Sequence, residues 1–274
     1  MAEHDPADLV DHYSRDGGAL AAILAALTDA GIDVAQPPIP AEALSGADEF
    51  HLGGAAATAA LVEDLGLAPH DRVLDVGCGA GGPARSMARL AGCEVTGVDL
   101  TPGFVDAATE LSRLAGLAGT TSFLVGDAAE LGLPEASFDV ATMFHVGMNL
   151  PDKAAVFAAV RRLLQPGGRF AVYDIMLTGE GELEFPVPWS SSPDTSHLAT
   201  PDEYVAALTD AGFEVGEPVS RRQLVVDALA RAAAEPPTVN LVHLMGPEFP
   251  TMIGNLGAAF RDGIVTPIQL IARR

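Results

Sequence analysis

The residues best placed to do chemistry form a glycine loop flanked by acids. Gly77-Cys78-Gly79-Ala80-Gly81-Gly82 follows an apolar run, Arg72-Val73-Leu74-Asp75-Val76, and opens a helical pattern. Glycines in that place let the backbone turn sharply and approach a ligand as side chains would forbid. The G-x-G-x-x-G spacing is also that of a dinucleotide fingerprint, and Asp99 lies 22 residues beyond Gly77, near the position of a ribose-binding acid. Asp75 separates the two readings. A dinucleotide site usually keeps the strand before its glycines apolar, whereas here a carboxylate stands two residues ahead of them. It suits a cationic ligand and sits awkwardly beside two phosphates. Asp127 and His145 follow later apolar runs, so four polar side chains stand at or just beyond the ends of predicted strands.

The elements that must position them alternate. Strands are expected near 72–76, 94–98, 121–125, 138–144 and 168–176, with helices near 82–91, 103–115 and 151–164 between them. Gln165-Pro166-Gly167-Gly168 is expected to stop the last helix and turn the chain. Strand, helix, strand, helix implies a mostly parallel sheet. Thr200-Pro201-Asp202-Glu203 starts another helix, with threonine at the N-cap and proline at the first helical position. A sixth strand is expected near 213–221, two helical patterns in 223–263, and a last strand over 265–272. The fold class is α/β: a doubly wound, Rossmann-like, mostly parallel sheet of seven strands with an N-terminal helical cap and a C-terminal helical insertion. Three regions result: 1–70 as the cap, 71–176 as the core, and 177–274 as lid loop, helical insertion and last strands. In such sheets ligands bind outside the carboxyl ends of the strands where the strand order reverses, so Asp75, Asp99, Asp127 and His145 should converge on one crevice.

Val73-Leu74-Asp75-Val76-Gly77-Cys78-Gly79-Ala80-Gly81 resembles motif I of class I S-adenosylmethionine (SAM) dependent methyltransferases. Val98-Asp99-Leu100-Thr101 resembles the second-strand acid that binds both ribose hydroxyls, and Gly126-Asp127-Ala128-Ala129-Glu130-Leu131-Gly132-Leu133-Pro134 the segment whose aspartate meets the adenine amino group. Leu164-Gln165-Pro166-Gly167-Gly168-Arg169-Phe170 completes the set. The chain is similar, more narrowly, to small-molecule enzymes of the ubiquinone-biosynthesis type and to glycine, sarcosine and dimethylglycine methyltransferases, through Phe50-His51-Leu52-Gly53-Gly54, Gly81-Gly82-Pro83-Ala84-Arg85 and Phe185-Pro186-Val187-Pro188-Trp189.

The resemblance implies SAM as cofactor, S-adenosylhomocysteine as product, and methyl transfer to an N, O or C atom of a small molecule. It implies a cofactor site made by Asp75, Gly77, Cys78, Gly79, Asp99, Leu100, Asp127, Ala128 and His145. SAM carries an ammonium and a sulfonium but no pyrophosphate, in keeping with the acids. His145 is the candidate catalytic residue, either as a base toward an ammonium or hydroxyl nucleophile or as a side chain that shapes the pocket. Cys78 reads as a small residue filling a tight turn rather than as a nucleophile. Tyr13 and His51 belong to the cap over the methionine end of SAM or the acceptor. Met148 and Asn149 follow His145 toward the acceptor. Trp189 reads either as an aromatic wall for the acceptor or as an anchor for its loop. Arg222, with Arg221, would meet an acceptor carboxylate or pair with a structural one. The apolar stretch from Leu241 to Phe260, with Met245, Phe249 and Met252, would suit a larger hydrophobic acceptor or simply form helix core. Two other functions share these features: an NAD-type oxidoreductase, and a SAM-binding protein of this fold without methyl transfer.

Composition narrows the partners. The net charge of −22, with Lys153 the only lysine, would repel a phosphate backbone, which argues against nucleic acid and acidic membranes. The positive mean hydropathy of 0.27 comes largely from alanine, and no apolar run approaches the length of a membrane span. Met1-Ala2-Glu3-His4-Asp5 does not open a signal peptide, so the expected location is the cytoplasm. Cys78 and Cys93 make neither a disulfide framework nor a metal quartet, and no metal is expected. Where two copies associate, a homodimer seam would form on apolar helix faces of the cap and of 223–263.

Overall fold

The computed structural model describes residues 18–44, 46, 49–236, 239 and 248–274. Tyr13 and the Leu241–Met245 stretch lie outside them. The N-terminal layer is helical. α1 (Ala19–Asp29) and the single turn α2 (Ala41–Leu44) are followed by α3 (Gly54–Leu65), which ends on Gly66 in the left-handed region. α1 buries Ile23, Ala26 and Leu27 at a helical spacing, and these pack with Ala107, Leu111 and Leu114 farther along the chain.

The core then alternates as expected: β1 (Arg72–Val76), α4 (Gly82–Ala91), β2 (Glu94–Asp99), α5 (Pro102–Leu114), β3 (Thr121–Val125), β4 (Phe138–Phe144), α6 (Lys153–Leu163) and β5 (Leu164–Leu177). After it come α7 (Pro201–Asp210), β6 (Glu214–Val215), β7 (Val219–Ser220), α8 (Arg222–Ala234), α9 (Phe249–Asp262) and β8 (Val265–Arg273). The strand order is β3-β2-β1-β4-β5-β8-β6, with β7 also on β8. β1 to β5 run parallel, and β8 runs antiparallel to β5, β6 and β7. The order reverses between β1 and β4, which opens the crevice there.

Strand periodicity divides the core into two layers. Leu74, Val76, Ala141, Met143, Phe170 and Val172 face a layer completed by Phe157 of α6 and by Tyr204 and Leu208 of α7. Val73, Val140, Ala171 and Tyr173 face the opposite layer, with Leu61 of α3 and Met87 of α4. Burial on both faces explains why these strands read as near-continuous apolar runs.

Two details depart from the sequence expectation. The sheet has eight strands rather than seven, because the expected sixth strand is two short pieces separated by Gly216-Glu217-Pro218, where proline has no N–H to give to a ladder. Pro166-Gly167-Gly168 does not separate α6 from β5. The helix passes straight into the strand, and the pairing jumps from Phe138 opposite Leu164 to Val140 opposite Arg169, so the segment bulges out of the strand with Gly167 at φ 78°. The start of α7 follows expectation in having Thr200 as N-cap before Pro201, and Glu203 completes a reciprocal capping box with Thr200.

Candidate active site

At the end of β1 the chain turns on Gly77, at φ 68°, and both Gly77 and Cys78 donate their N–H to the Val98 carbonyl at the end of β2, at 2.8 and 3.0 Å. A Cβ on Gly77 would collide with the Val146 side chain, so the loop and the segment after β4 touch through the absence of a side chain. Gly79 N–H donates to Asp99 Oδ2 at 2.8 Å, and Asp99 Oδ1 accepts from Thr101 N–H at 2.9 Å. Burial pushes the Asp99 carboxyl above the usual carboxylate range, against these hydrogen bonds.

Asp75 lies buried below the loop. Its Oδ1 accepts from the Thr142 hydroxyl at 2.8 Å, and among the described residues Oδ2 has no hydrogen-bond partner. Burial pushes this carboxyl up to about 7, and the nearby Glu49 and Asp99 add to the effect while Thr142 opposes it. Glu49 is itself buried, accepting from Thr58 Oγ1 and Ser86 Oγ at 2.7 Å each, and burial raises it too. Three carboxylates therefore gather under the glycine loop. Cys78 fills the turn against Gly97, and burial, with Asp99 and Asp75 beside it, holds its thiol well above the usual range, so it stays protonated.

The opposite side of the crevice is carried by the segment after β4. His145 adopts φ 53°, a left-handed conformation that costs a non-glycine residue roughly 1–2 kcal/mol. Its N–H donates to the Tyr173 carbonyl at 2.8 Å; its ring stacks on Tyr173 with centroids 5.4 Å apart and meets His51 edge-on at 5.9 Å. Burial, with His51 adding to it, holds the His145 imidazole well below its usual range, so the ring is neutral, and its buried Nε2 has no partner among the described residues. His51 is likewise neutral, pushed down to about 4 by burial, with Nε2 3.1 Å from the Gly54 carbonyl. The next residues form a short 3-10 turn, Gly147–Asn149, held by Asp174: its Oδ2 accepts from Gly147 N–H at 2.8 Å and from the Tyr204 hydroxyl at 2.9 Å. Burial pushes Asp174 up to about 7.

These parts border a cavity of about 230 Å³. Gly77, Gly79, Asp99, Leu100, Asp127 and Ala128 line one end; Met148, Trp189, Phe249, Ile253 and Leu256 line the other, and His51, His145 and Asn149 also border it. Phe249, Ile253 and Leu256 stand on one face of α9 by their spacing of four and three residues. Trp189 sits in a tight turn where Val187 and Ser190 exchange backbone hydrogen bonds, and its indole N–H donates to Ser196 Oγ at 3.0 Å. Trp189 lines the cavity and is itself only 4% exposed.

The structure thus brings together all the expected cofactor positions, with Asp75 and Cys78 beneath the loop rather than on the cavity wall. It takes Arg222 away. That guanidinium lies 4.4 Å from the Phe260 ring and donates to the Phe260 and Arg261 carbonyls at 2.6 and 3.2 Å, closing the C-terminus of α9. Among the described residues its hydrogen-bond partners are backbone oxygens, not a structural carboxylate, and it does not line the cavity. Arg221 pairs with Asp64 and Gln269. Sequence reasoning passed over Glu49, Phe104, Phe144, Asp174 and Ile175. A lone acid inside the apolar run Phe170-Ala171-Val172-Tyr173-Asp174-Ile175-Met176 was the one available signal for Asp174.

Comparison with known proteins agrees with this geometry. Residues 74–172 match a family model described as a methyltransferase domain. The chain is similar to the sterol 24-C-methyltransferase ERG6A of Gibberella zeae, 30% identical over 161 residues, which span 57% of this chain and 42% of that protein. This chain therefore spans less than half the length of that relative. Among solved structures it is similar to geranyl diphosphate C-methyltransferase from Streptomyces coelicolor A3(2), with a TM-score of 0.71 at 18% identity over 100% of this chain and 99% of that one. A putative sarcosine dimethylglycine methyltransferase from Galdieria sulphuraria gives a TM-score of 0.62 at 22% identity over 80% and 84% of the two chains. At these identities the solved structures speak for the fold.

Proposed function

We propose that the chain, a class I SAM-dependent methyltransferase by its domain and fold, moves the methyl group of SAM onto an N, O or C atom of a small-molecule acceptor and releases S-adenosylhomocysteine. The observation that carries this is the gathering of Glu49, Asp75 and Asp99 under the glycine loop, with one buried oxygen of Asp75 unpartnered. Such a site favours a ligand bearing positive charge and disfavours the pyrophosphate of a dinucleotide. The NAD-type alternative loses its ground there.

The residues fit SAM. Gly77 and Gly79 leave the backbone bare toward the cavity; Asp99 would hold the ribose hydroxyls, and Asp127 with Ala128 the adenine edge. When bound, SAM supplies an electrophilic methyl on sulfur. The rest is alignment: the neutral His145 and the Gly147–Asn149 turn orient the acceptor, and Trp189, Phe249 and Leu256 exclude water from it. A neutral imidazole is in the right state to take a proton from a hydroxyl or ammonium nucleophile.

The same proposal places the enzyme in the cytoplasm, with a small molecule rather than nucleic acid or membrane as its partner. It is supported by the net charge of −22 and by Cys78 and Cys93 standing as buried free thiols. Among the described residues no helix is long and apolar enough to cross a membrane. A homodimer seam is best placed on α8, where Val226 and Leu229 are exposed. The test of function is turnover: with SAM and a panel of phenols, amines and acidic carbons, S-adenosylhomocysteine is expected only when a suitable acceptor is present. Reduction of NAD by alcohols without any release of S-adenosylhomocysteine would overturn the proposal.

A further inference from the structure

The acceptor end of the cavity carries a selective pattern. Its wall is Leu52, Met148, Ile175, Trp189, Phe249 and Leu256, with Ile253 at 40% exposure beside them. Of the 15 Lys and Arg residues all but Arg15 lie among the described residues, and none of those lines the cavity. Several are engaged elsewhere: Lys153 donates to the Leu150 and His197 carbonyls, Arg169 pairs with Asp71, and Arg222 closes α9. Among the described residues, the charged groups that border the cavity are the carboxylates Asp99 and Asp127. An anionic acceptor entering there would lose hydration without gaining a counter-charge.

Two buried polar atoms on residues that line this cavity lack a hydrogen-bond partner among the described residues: Asn149 Oδ1 and His145 Nε2. The amide oxygen of Asn149, a residue only 6% exposed, can only accept a hydrogen bond. The neutral His145 Nε2 accepts one when the proton sits on Nδ1. Buried acceptors left unpaired are costly, and a ligand that brings a donor removes the cost.

We infer that the acceptor is a largely apolar molecule without negative charge that presents a hydroxyl or N–H group, and that Asn149, with His145, selects it by accepting that hydrogen bond. This rests on the methyltransferase reading and gives it a substrate class. It excludes acceptors held by a carboxylate or phosphate, glycine-type amino acids among them.

Trp189, the only tryptophan, reports occupancy of this end through its fluorescence. The chain saturated with S-adenosylhomocysteine, so that nothing turns over, is titrated with three probes of matched shape: para-hexylphenol, hexylbenzene and para-hexylbenzoate. The phenol is expected to bind about tenfold more tightly than either of the others. In Asn149→Leu, checked for folding by its melting curve, the preference for phenol over hexylbenzene is expected to shrink to about threefold or less. Benzoate binding as tightly as the phenol, or a phenol no tighter than hexylbenzene in the unaltered chain, would overturn the inference. A calorimetric titration with S-adenosylhomocysteine alone separates the two levels. If it binds and the probes are not distinguished, only the acceptor class is wrong; if it does not bind, the methyltransferase reading falls and takes the inference with it.

Discussion

The two ends of the cavity are built by different means. The cofactor end is mostly backbone: turns after β1, β2 and β3 bring Gly77, Gly79, Leu100 and Gly126 to the crevice, and short polar side chains tie the turns together. The acceptor end is lined by apolar residues from five distant stretches of the chain, around Leu52, Met148, Ile175, Trp189 and Phe249. A ligand common to a whole family can be held by a loop that almost any sequence supports once its glycines are kept. A ligand particular to one enzyme needs a wall that varies freely, and apolar side chains on a lid and a late helix provide one.

The comparison can be broken at the residue where the ends meet. His145 lines the cavity, and if it takes a proton from the acceptor, His145→Ala lowers kcat by about a hundredfold or more while the affinity for S-adenosylhomocysteine changes little. Steady-state rates beside calorimetry check this, and unchanged turnover would remove His145 from the chemistry. Next in size is Gly147→Ala. Its new methyl group would overlap the Tyr204 hydroxyl and Asp174 Oδ2 behind the acceptor wall, costing about 3 kcal/mol of stability in a denaturant titration. Asp99→Ala is the converse, aimed at the cofactor end. Loss of charge-assisted hydrogen bonds to the ribose weakens S-adenosylhomocysteine by roughly 1.5–3 kcal/mol, about ten- to a hundredfold, and leaves the binding of apolar probes near Trp189 intact.

The smallest effect is a pH slope. Burial raises Asp75 from an ordinary 3.8 to about 7 in the folded chain. The folded chain then holds a proton that the unfolded chain has released, so this carboxyl's contribution to stability falls as pH rises from about 4 to 7. Asp75→Asn cannot ionise. Its melting temperature is expected to gain on that of the unaltered chain across this window and to keep a constant lead above it. A lead that does not depend on pH would show that Asp75 is not held up by burial.

The same contrast explains what could be read from the sequence. The glycine loop, Asp99 and Asp127 are local signals, each legible because a strand, a turn and a helix follow one another within a few residues. The N-cap at Thr200 was legible for the same reason. Arg222 was misread because its partners, the carbonyls of Phe260 and Arg261, lie 38 and 39 residues away and have no side-chain signature. Glu49 and Asp174 were passed over because only the folded sheet puts Thr58 and Ser86 around the one and Tyr204 and Gly147 around the other. Pro218 splits the strand expected near 213–221 into two short pieces.

The central claim is that acids beneath a bare glycine loop select an adenosyl ligand that carries an ammonium and no pyrophosphate over a dinucleotide. Calorimetric titration with S-adenosylhomocysteine and separately with NAD, each repeated on Asp99→Ala, tests it most directly. The expected result is micromolar binding of S-adenosylhomocysteine alone, weakened about ten- to a hundredfold in the variant. Binding of NAD alone, or binding of S-adenosylhomocysteine that Asp99→Ala leaves unchanged, would contradict it.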